Sequence, residues 1–356
     1  MNEKHATTNE PSDSRESEFD WRDDIADLSL EGRGYPESAA PYTRLPERFR
    51  DVVTKSVWDL SQTAIGFTAR FVTDSDEVAV RWSVDPGVIP PLFFSSMFYS
   101  GVDVYARDAN GVWKHKTAAV QEIETGNGEL RVGWAPGEEC AVYLPIRSRP
   151  KQFSIGVKKG ASFLPPRPHA VAKPVVHYGT SIVNGGCASR PGLIFTSIMS
   201  RLADVEVVNF GFSGAGKMEL PMADVVAGVE ASLYIVDCEW NMGVELEKTN
   251  YEPFVRRLRE LRPGVPILLC GACTETPEPR ATEVFSRGVF ERLKAEDPAK
   301  WADLHFLSGV DMLPNDSDCT FDHCHPNDIG FAQMGRVYAE AVRKILHPQG
   351  LSRSLP

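Results

Sequence analysis

The chain has 356 residues, of which 42% are hydrophobic and 24% are charged, as is typical of a globular protein with room for two domains. Its formal net charge is −11, which argues against nucleic acid or an anionic membrane as a partner. No apolar run approaches the roughly 20 residues that a membrane-spanning helix needs.

The first 22 residues are polar and acidic, and they lack the apolar segment at the centre of a secretory signal peptide. Their composition predicts a disordered tail over residues 1–22. The seven cysteines are an odd number scattered between Cys140 and Cys324, which does not indicate the disulfide framework of a secreted protein. These features together predict a cytoplasmic protein.

The next part of the chain alternates short apolar and polar stretches. Turn formers such as Asp85-Pro86-Gly87 and Asn110-Gly111 separate segments that are rich in β-branched and aromatic residues. This spacing predicts an antiparallel β-sandwich or jelly roll over residues 23–165, with residues 166–173 as a proline-rich linker. The predicted strand segments are 64–71, 77–84, 92–99, 101–107 and 140–146.

From residue 174 to 350 the pattern changes to apolar runs that alternate with helical periodicity. Five β-α units in succession predict a parallel sheet with helices on both faces. In such sheets, ligands bind at the carboxyl ends of the strands. The apolar runs are 174–178, 205–210, 232–237, 265–270 and 304–310, and the helical patterns are 193–203, 251–262, 284–296 and 328–346.

Residues that offer polar side chains or backbone N–H groups suited to catalysis follow four of these predicted strands. Ser181 comes after the first strand, Gly214 lies in a glycine-rich loop after the second, and Asn241 follows the third. Asp322 and His325 follow the fifth. Together they offer a nucleophile, oxyanion-hole donors, a base and a carboxylate to orient that base, all at one edge of the sheet.

The spacing of Asp322 and His325 has a physical reason. Residues three apart at the start of a helix lie on neighbouring positions of one face. The carboxylate can then accept the imidazole N–H, while the other ring nitrogen accepts the hydroxyl proton of Ser181.

Four short blocks in this order resemble the SGNH (GDSL-type) hydrolases. The blocks are Gly179-Thr180-Ser181-Ile182, Asn209-Phe210-Gly211-Phe212-Ser213-Gly214, Glu239-Trp240-Asn241-Met242 and Asp322-His323-Cys324-His325. The segment Gly101-Val102-Asp103-Val104-Tyr105 is similar to the G-x-D-L-Y element of a β-sandwich that precedes the catalytic domain in one subgroup of that family. The resemblance covers nearly the whole chain beyond the tail.

The resemblance implies a flavodoxin-like three-layer α/β/α catalytic domain over residues 174–350 and a serine esterase mechanism. Ser181 is the implied nucleophile, His325 the base and Asp322 its orienting carboxylate. The backbone N–H groups of Ser181 and Gly214 and the Asn241 amide form the implied oxyanion hole. The implied substrates are acyl or acetyl esters, including esters of sugars, and no metal or organic cofactor is required.

Two departures from the family pattern lie in these blocks. Thr180 replaces an acidic residue beside the nucleophile, which leaves the triad itself unchanged. Glu239 and Met242 stand where the third block has glycine and aspartate in the family, and this change bears on how the Asn241 amide is aimed.

Other interpretations of the same residues stay open at this point. An acyltransferase would use the same catalytic residues, and a carbohydrate-binding protein could keep the fold without turnover. Ser181 could serve only as a helix cap, and Ser213 is a rival nucleophile within an incomplete G-x-S-x-G pattern. A zinc site is a further alternative, and its candidate ligands are Cys270, Cys273, Cys319, His323, Cys324 and His325.

Overall fold

Antiparallel strands form the first half of the protein in the computed structural model, which describes residues 18–91, 93–315 and 317–347. In chain order the strands are β1 (Phe19–Arg22), β2 (Leu30–Glu31), β3 (Thr68–Val72), β4 (Glu77–Ser83), β5 (Val102–Arg107), β6 (Trp113–Ala119), β7 (Asn127–Gly133), β8 (Glu139–Tyr143) and β9 (Gln152–Lys158). They form two sheets, in the orders β1-β9-β4-β7 and β2-β3-β8-β5-β6.

The two sheets enclose one apolar core. Alternate residues of β4, among them Val78, Val80 and Trp82, are buried in it together with Phe71 and Phe153. Period-two burial of this kind is the pattern expected for strands that have one face on a core and one face away from it. The predicted antiparallel sandwich is confirmed.

Two of the predictions for this half need correction. The predicted tail ends too late, because Phe19–Arg22 is strand β1 and pairs antiparallel with Lys158–Ile155 of β9; residues 1–17 lie outside the described residues. The segment 92–99, predicted as a strand, instead leads into a short helix, Ser96–Ser100. The Ser95 side chain accepts a hydrogen bond from the Met97 N–H, and this N-cap overrides the strand preference of the aromatic residues.

A segment within the predicted sandwich range packs elsewhere. Tyr35, Leu45 and Val57 belong to the same apolar cluster as Val208 and Phe210, which lie in the parallel sheet described next. These three side chains therefore cover the second half of the protein rather than filling the sandwich. The domain boundaries otherwise stay predictions.

The second half is a parallel sheet between two layers of helices. Its strands are β10 (Val175–Gly179), β11 (Val207–Gly211), β12 (Leu233–Asp237), β13 (Ile267–Cys270) and β14 (Leu304–Leu307), in the order β11-β10-β12-β13-β14. In the described residues the α-helices are α1 (Lys55–Ser61), α2 (Ser96–Ser100), α3 (Ser181–Asn184), α4 (Phe195–Ala203), α5 (Leu220–Ala227), α6 (Val244–Leu261), α7 (Ala281–Glu296) and α8 (Asp328–Leu346). The predicted flavodoxin-like α/β/α architecture is confirmed.

Strand β10 is the point where the strand order of this sheet reverses. It pairs in parallel with β11 on one side and with β12 on the other, so that Gly179 is opposite both Gly211 and Asp237. After β10 the chain forms β11 on one side of it, and the later strands β12, β13 and β14 follow on the other side. Such a switch point opens a crevice at the carboxyl end of the strand, where α/β proteins bind their ligands.

The sandwich contacts the α/β half through strand β5. Asp103 accepts hydrogen bonds from Arg190 (2.6 Å) and from the backbone N–H of Gly192 (2.9 Å). The Tyr105 hydroxyl lies 2.8 Å from the same guanidinium, and Arg201 packs 4.1 Å above the Tyr105 ring. The Asp and Tyr of the G-x-D-x-Y element therefore hold the two halves together, rather than stabilising only the sandwich.

Among the described residues, no helix combines the length and the apolar character that crossing a membrane requires.

Candidate active site

Ser181 stands at the carboxyl end of β10, at the switch point of the sheet. Gly179 permits the sharp exit from the strand, since a Cβ there would lie 2.4 Å from the carbonyl oxygen of Asp237. Thr180 caps the short helix α3 by accepting a hydrogen bond from the Ile182 N–H. Ser181 is thus the first residue of α3 and not its cap, which removes the purely structural explanation for this serine.

Ser181, His325 and Asp322 form one hydrogen-bonded chain. The Oγ of Ser181 lies 2.8 Å from Nε2 of His325. The Nδ1 of His325 lies 2.9 Å from Oδ2 of Asp322. This is the arrangement expected when a carboxylate orients an imidazole and the imidazole accepts the proton of a serine hydroxyl.

The second carboxylate oxygen of Asp322 fixes the loop that carries His325. Oδ1 accepts hydrogen bonds from the backbone N–H groups of His325 (2.7 Å) and Cys324 (3.1 Å). Desolvation by itself would raise the pKa of Asp322, but these bonds and the His325 ring outweigh it and hold the pKa below its ordinary value. Asp322 is therefore ionised at neutral pH, as a carboxylate that orients an imidazole must be.

Backbone donors lie at the end of β11, next to β10. Gly214 has a φ of +70°, a left-handed conformation that favours glycine. Close by, a Cβ on Gly216 would lie 2.1 Å from the carbonyl oxygen of Gly179, so the loop packs directly against the exit of β10. In the described part of the chain, the N–H groups of Ser181 and Gly214 have no backbone acceptor.

The Asn241 amide is held by the same loop. Its Nδ2 lies 3.3 Å from the carbonyl oxygen of Phe212. With the amide oxygen and nitrogen exchanged, the oxygen would accept from the backbone N–H groups of Gly216 (3.1 Å) and Ala215 (3.3 Å), and the NH₂ group would remain as a donor. Asn241 therefore lies beside the loop of Gly214, and its part in an oxyanion hole stays a prediction.

Glu239, which replaces the glycine of the family pattern, anchors the turn that carries Asn241. Its carboxylate accepts hydrogen bonds from the Ser286 hydroxyl and from the backbone N–H of Ala272 (3.0 Å). Burial raises the pKa of Glu239 to about 7, against the opposing effect of these hydrogen bonds. The substitution therefore attaches the Glu239–Asn241 turn to β13 and α7, a role that its sequence position did not indicate.

Glu275 anchors the other loop and was not predicted from the sequence. It accepts hydrogen bonds from the Thr320 hydroxyl (2.8 Å) and the Cys319 thiol (3.3 Å), and it lies 3.1 Å from Nδ1 of His323. The His323 side chain itself is 83% exposed. A lone glutamate after a strand carries no motif, so no sequence pattern pointed to Glu275.

Arg44 is the second residue that sequence reasoning missed. Its guanidinium is buried, and one nitrogen donates to the carbonyl oxygens of Asn209 (3.0 Å) and Gly211 (2.9 Å) at the end of β11. It also packs 4.6 Å above the ring of Phe212. Burial lowers the pKa of Arg44 to about 9. The segment between β2 and β3 thus supports the end of β11, from which the loop of Gly214 begins.

The rival nucleophile Ser213 has a different partner. Its Oγ lies 3.2 Å from the guanidinium of Arg147, which also donates to the side chain of Asn184 (3.4 Å). An arginine cannot accept the hydroxyl proton. The geometry therefore favours Ser181 over Ser213.

The cysteines proposed as zinc ligands do not converge on one point. Among the described residues, the groups that could hold a metal together comprise Asp322, Cys324 and His325, whose ligand atoms lie within 4.8 Å of one another. Cys270 and Cys273 are instead buried in the apolar cluster between the sheet and α4 and α8. Two of these three residues, Asp322 and His325, also belong to the hydrogen-bonded chain that ends at Ser181.

Two family models match this sequence and together span most of it. Residues 172–347 match the GDSL-like lipase/acylhydrolase family. Residues 19–163 match the GxDLY N-terminus of SGNH-hydrolase-type esterases. No curated protein matches the sequence.

Solved structures resemble the whole chain. A protein described as a GDSL-like lipase from Bacteroides ovatus is 25% identical, with a TM-score of 0.80 over 92% of this chain and 98% of that one. A salicylyl-acyltransferase from a tetracycline biosynthetic pathway is 18% identical, with a TM-score of 0.70 over 94% and 98%. A family two carbohydrate esterase from Clostridium thermocellum, in complex with cellohexaose, is 12% identical, with a TM-score of 0.55 over 79% and 93%.

Proposed function

Because this chain belongs to the GDSL-like (SGNH) hydrolases and carries their GxDLY N-terminal domain, we propose that it is a serine esterase that cleaves acyl esters through a covalent acyl-enzyme. The observation that carries the proposal is the hydrogen-bonded chain from Asp322 through His325 to Ser181. Small acyl groups such as acetyl, on alcohols that include sugars, are the substrates we propose to test first.

In the proposed reaction, the Oγ of Ser181 attacks the ester carbonyl while Nε2 of His325 accepts its proton. The N–H groups of Ser181 and Gly214 and the Asn241 amide donate to the carbonyl oxygen as it becomes negatively charged. Loss of one such donor typically lowers turnover by about 10²–10³. The alcohol leaves with the proton from His325, and water activated by the same histidine releases the acid.

The test is the hydrolysis of p-nitrophenyl acetate by the wild type, Ser181→Ala and Ser213→Ala, each with and without a metal chelator. We expect Ser181→Ala to lose at least about 10³-fold in kcat/KM and Ser213→Ala to stay close to the wild type. The chelator should change none of the three rates. Activity that survives in Ser181→Ala, or that disappears with the chelator, would contradict the serine mechanism and direct attention to Asp322, Cys324 and His325 as metal ligands.

Acyl transfer to a second alcohol is the other candidate function, because the same acyl-enzyme can react with an alcohol instead of water. The similarity in fold to a salicylyl-acyltransferase is the reason to test it. An added alcohol that competes with water yields a new ester at the expense of free acid. A product ratio dominated by the new ester at low alcohol concentration would favour the transferase; one dominated by the acid would favour the esterase.

A further inference from the structure

Three phenylalanines from the two halves of the protein lie next to the triad, and we call Phe93, Phe94 and Phe321 the phenylalanine patch. The Phe93 side chain is 51% exposed and that of Phe321 is 61% exposed. Their ring centroids are 6.4 Å apart, and those of Phe93 and Phe94 are 4.6 Å apart. Two largely exposed aromatic rings side by side leave apolar surface open to a ligand.

The patch is attached to the catalytic loop on one side. Phe321 directly precedes Asp322 in the chain, and its backbone N–H donates to the carbonyl oxygen of His325 (2.8 Å). This hydrogen bond fixes the position of the Phe321 backbone relative to His325. The ring of Phe321 is therefore part of the same rigid turn as two of the triad residues.

Phe94, which belongs to the N-terminal half of the protein, also lies close to His325. A Cβ at Gly186 would lie 3.6 Å from Cδ2 of His325 and 3.8 Å from Cε1 of Phe94. The Phe94 ring is stacked on that of Phe98, with ring centroids 5.5 Å apart, and Phe98 is completely buried. Phe94 is thus held in place by packing. Because Gly186 has no side chain, a narrow gap remains between the rings of Phe94 and His325.

The reaction itself decides which half of an ester would meet this patch. The carbonyl oxygen is held on the side of Gly214 and Asn241, whereas the histidine must reach the oxygen of the departing alcohol to give it a proton. When the bond from the acyl carbon to that oxygen breaks, the alcohol carries the proton that His325 took from Ser181. The alcohol half therefore leaves on the side of His325, where the phenylalanine patch lies.

We propose that the phenylalanine patch binds the alcohol half of the substrate and selects esters whose alcohol carries an apolar, ring-bearing group. Phenylalanine side chains offer no hydrogen bonds, so burial of apolar surface is the recognition they supply. This inference rests on the proposed esterase reaction.

The test compares esters that differ in one phenyl ring at a defined place. Phenethyl acetate and ethyl acetate share the acyl group and have leaving alcohols of similar basicity, and ethyl hydrocinnamate carries the ring on the acyl side instead. We expect the wild type to have a kcat/KM on phenethyl acetate about tenfold or more above that on ethyl acetate. The double variant Phe93→Ala/Phe321→Ala should lose most of that preference, because its kcat/KM should fall much further on phenethyl acetate than on ethyl acetate.

Leu164→Ala is the matched control, because Leu164 is 52% exposed but lies beside Val72 in the sandwich; it should keep the preference. The inference is overturned if the double variant slows both acetates equally, or if the ring preference appears with ethyl hydrocinnamate. It is equally overturned if the wild type is a dimer that the double variant dissociates. Activity that persists in Ser181→Ala would instead reject the esterase reaction, so the two failures are distinguishable.

Discussion

Asp322 carries two tasks, one on each oxygen of its carboxylate. Oδ2 accepts from the imidazole of His325, and Oδ1 accepts from the backbone N–H groups of Cys324 and His325. The first bond fixes the tautomer that serves as a base, and the second pair fixes the shape of the turn. A substitution that keeps the shape of the side chain can therefore separate these tasks.

Asp322→Asn is the change that separates them. The asparagine oxygen can still accept from the backbone, but its NH₂ group presents a donor to Nδ1 and favours the wrong tautomer of His325. We expect kcat to fall by about 10²–10⁴ with little change in the thermal unfolding temperature. Asp328→Asn serves as the control, since Asp328 accepts from the backbone of Ser189 and not from the histidine. A loss smaller than about tenfold for Asp322→Asn would contradict the role given to this carboxylate.

Glu247 is a buried acid whose two carboxylate oxygens have no hydrogen-bond partner among the residues that the structure describes. Burial, and secondarily the charge of Glu239, raises its pKa from 4.5 to about 8. The folded state therefore holds this proton more tightly than the unfolded chain does. The stabilisation is complete below the unfolded pKa and is lost as the pH rises towards the folded pKa.

Glu247→Gln should flatten this pH dependence. We expect the free energy of unfolding of the wild type to fall between about pH 5 and about pH 8, by at most about 1.4 kcal/mol per pH unit from this group. The variant should show a smaller fall, with the remainder due in part to Glu239. Urea unfolding at several pH values measures this, and Glu245→Gln, at an exposed ion pair with Lys248, is the control. Equal slopes for wild type and Glu247→Gln would contradict the assignment.

At the scale of the element, the buried parallel strands were the easiest to predict. Each residue of β10, β11 and β12 is buried, so their sequences are mostly apolar. Helix α8 matches its predicted range, 328–346, because Asn327 caps it and its apolar periodicity is sustained. Element type is thus readable where burial is complete or strictly periodic.

The sandwich was harder to predict for the opposite reason. Strands β6 and β7 were not predicted, since most of their residues are at least partly exposed and their sequences are polar. The four catalytic blocks could be found because each follows a strand and matches a short motif. Arg44 and Glu275 could not, because each acts through a contact between segments that are far apart in the chain.

The contact between strand β5 and the second half of the protein can be tested through the stability of the fold. Asp103 is fully buried and accepts hydrogen bonds from both Arg190 and the N–H of Gly192. Asp103→Asn removes the negative charge from this ion pair and leaves Arg190 without its anionic partner. We expect this variant to lower the free energy of unfolding by about 3 kcal/mol. Denaturant titration measures the change.

Glu129→Gln is the matched control for Asp103→Asn, because the side chains of Glu129 and of its partner Arg81 are 46% and 32% exposed. An exposed pair contributes about 1 kcal/mol or less. If the two variants lose the same stability, the contact between β5 and Arg190 does not hold the halves of the protein together.

At the scale of the whole molecule, one edge of the parallel sheet collects contributions from distant parts of the chain. The proposed nucleophile follows β10, the proposed oxyanion donors follow β11 and β12, and the proposed acid–base pair lies between β14 and α8. The N-terminal half adds Arg44, which contacts the end of β11, and the phenylalanine patch beside the histidine. The sandwich and the segment between its strands β2 and β3 therefore contribute to the candidate active site.

The most direct test of this account is to look for the acyl-enzyme itself. The protein is mixed with p-nitrophenyl acetate, quenched in acid and digested, and the peptides are examined by mass spectrometry. We predict one acetyl group on the peptide that contains Ser181, formed in the wild type and absent from Ser181→Ala. Acetylation of another residue in its place, or turnover by the wild type with no acetyl group on Ser181 even in rapidly quenched samples, would contradict the central claim.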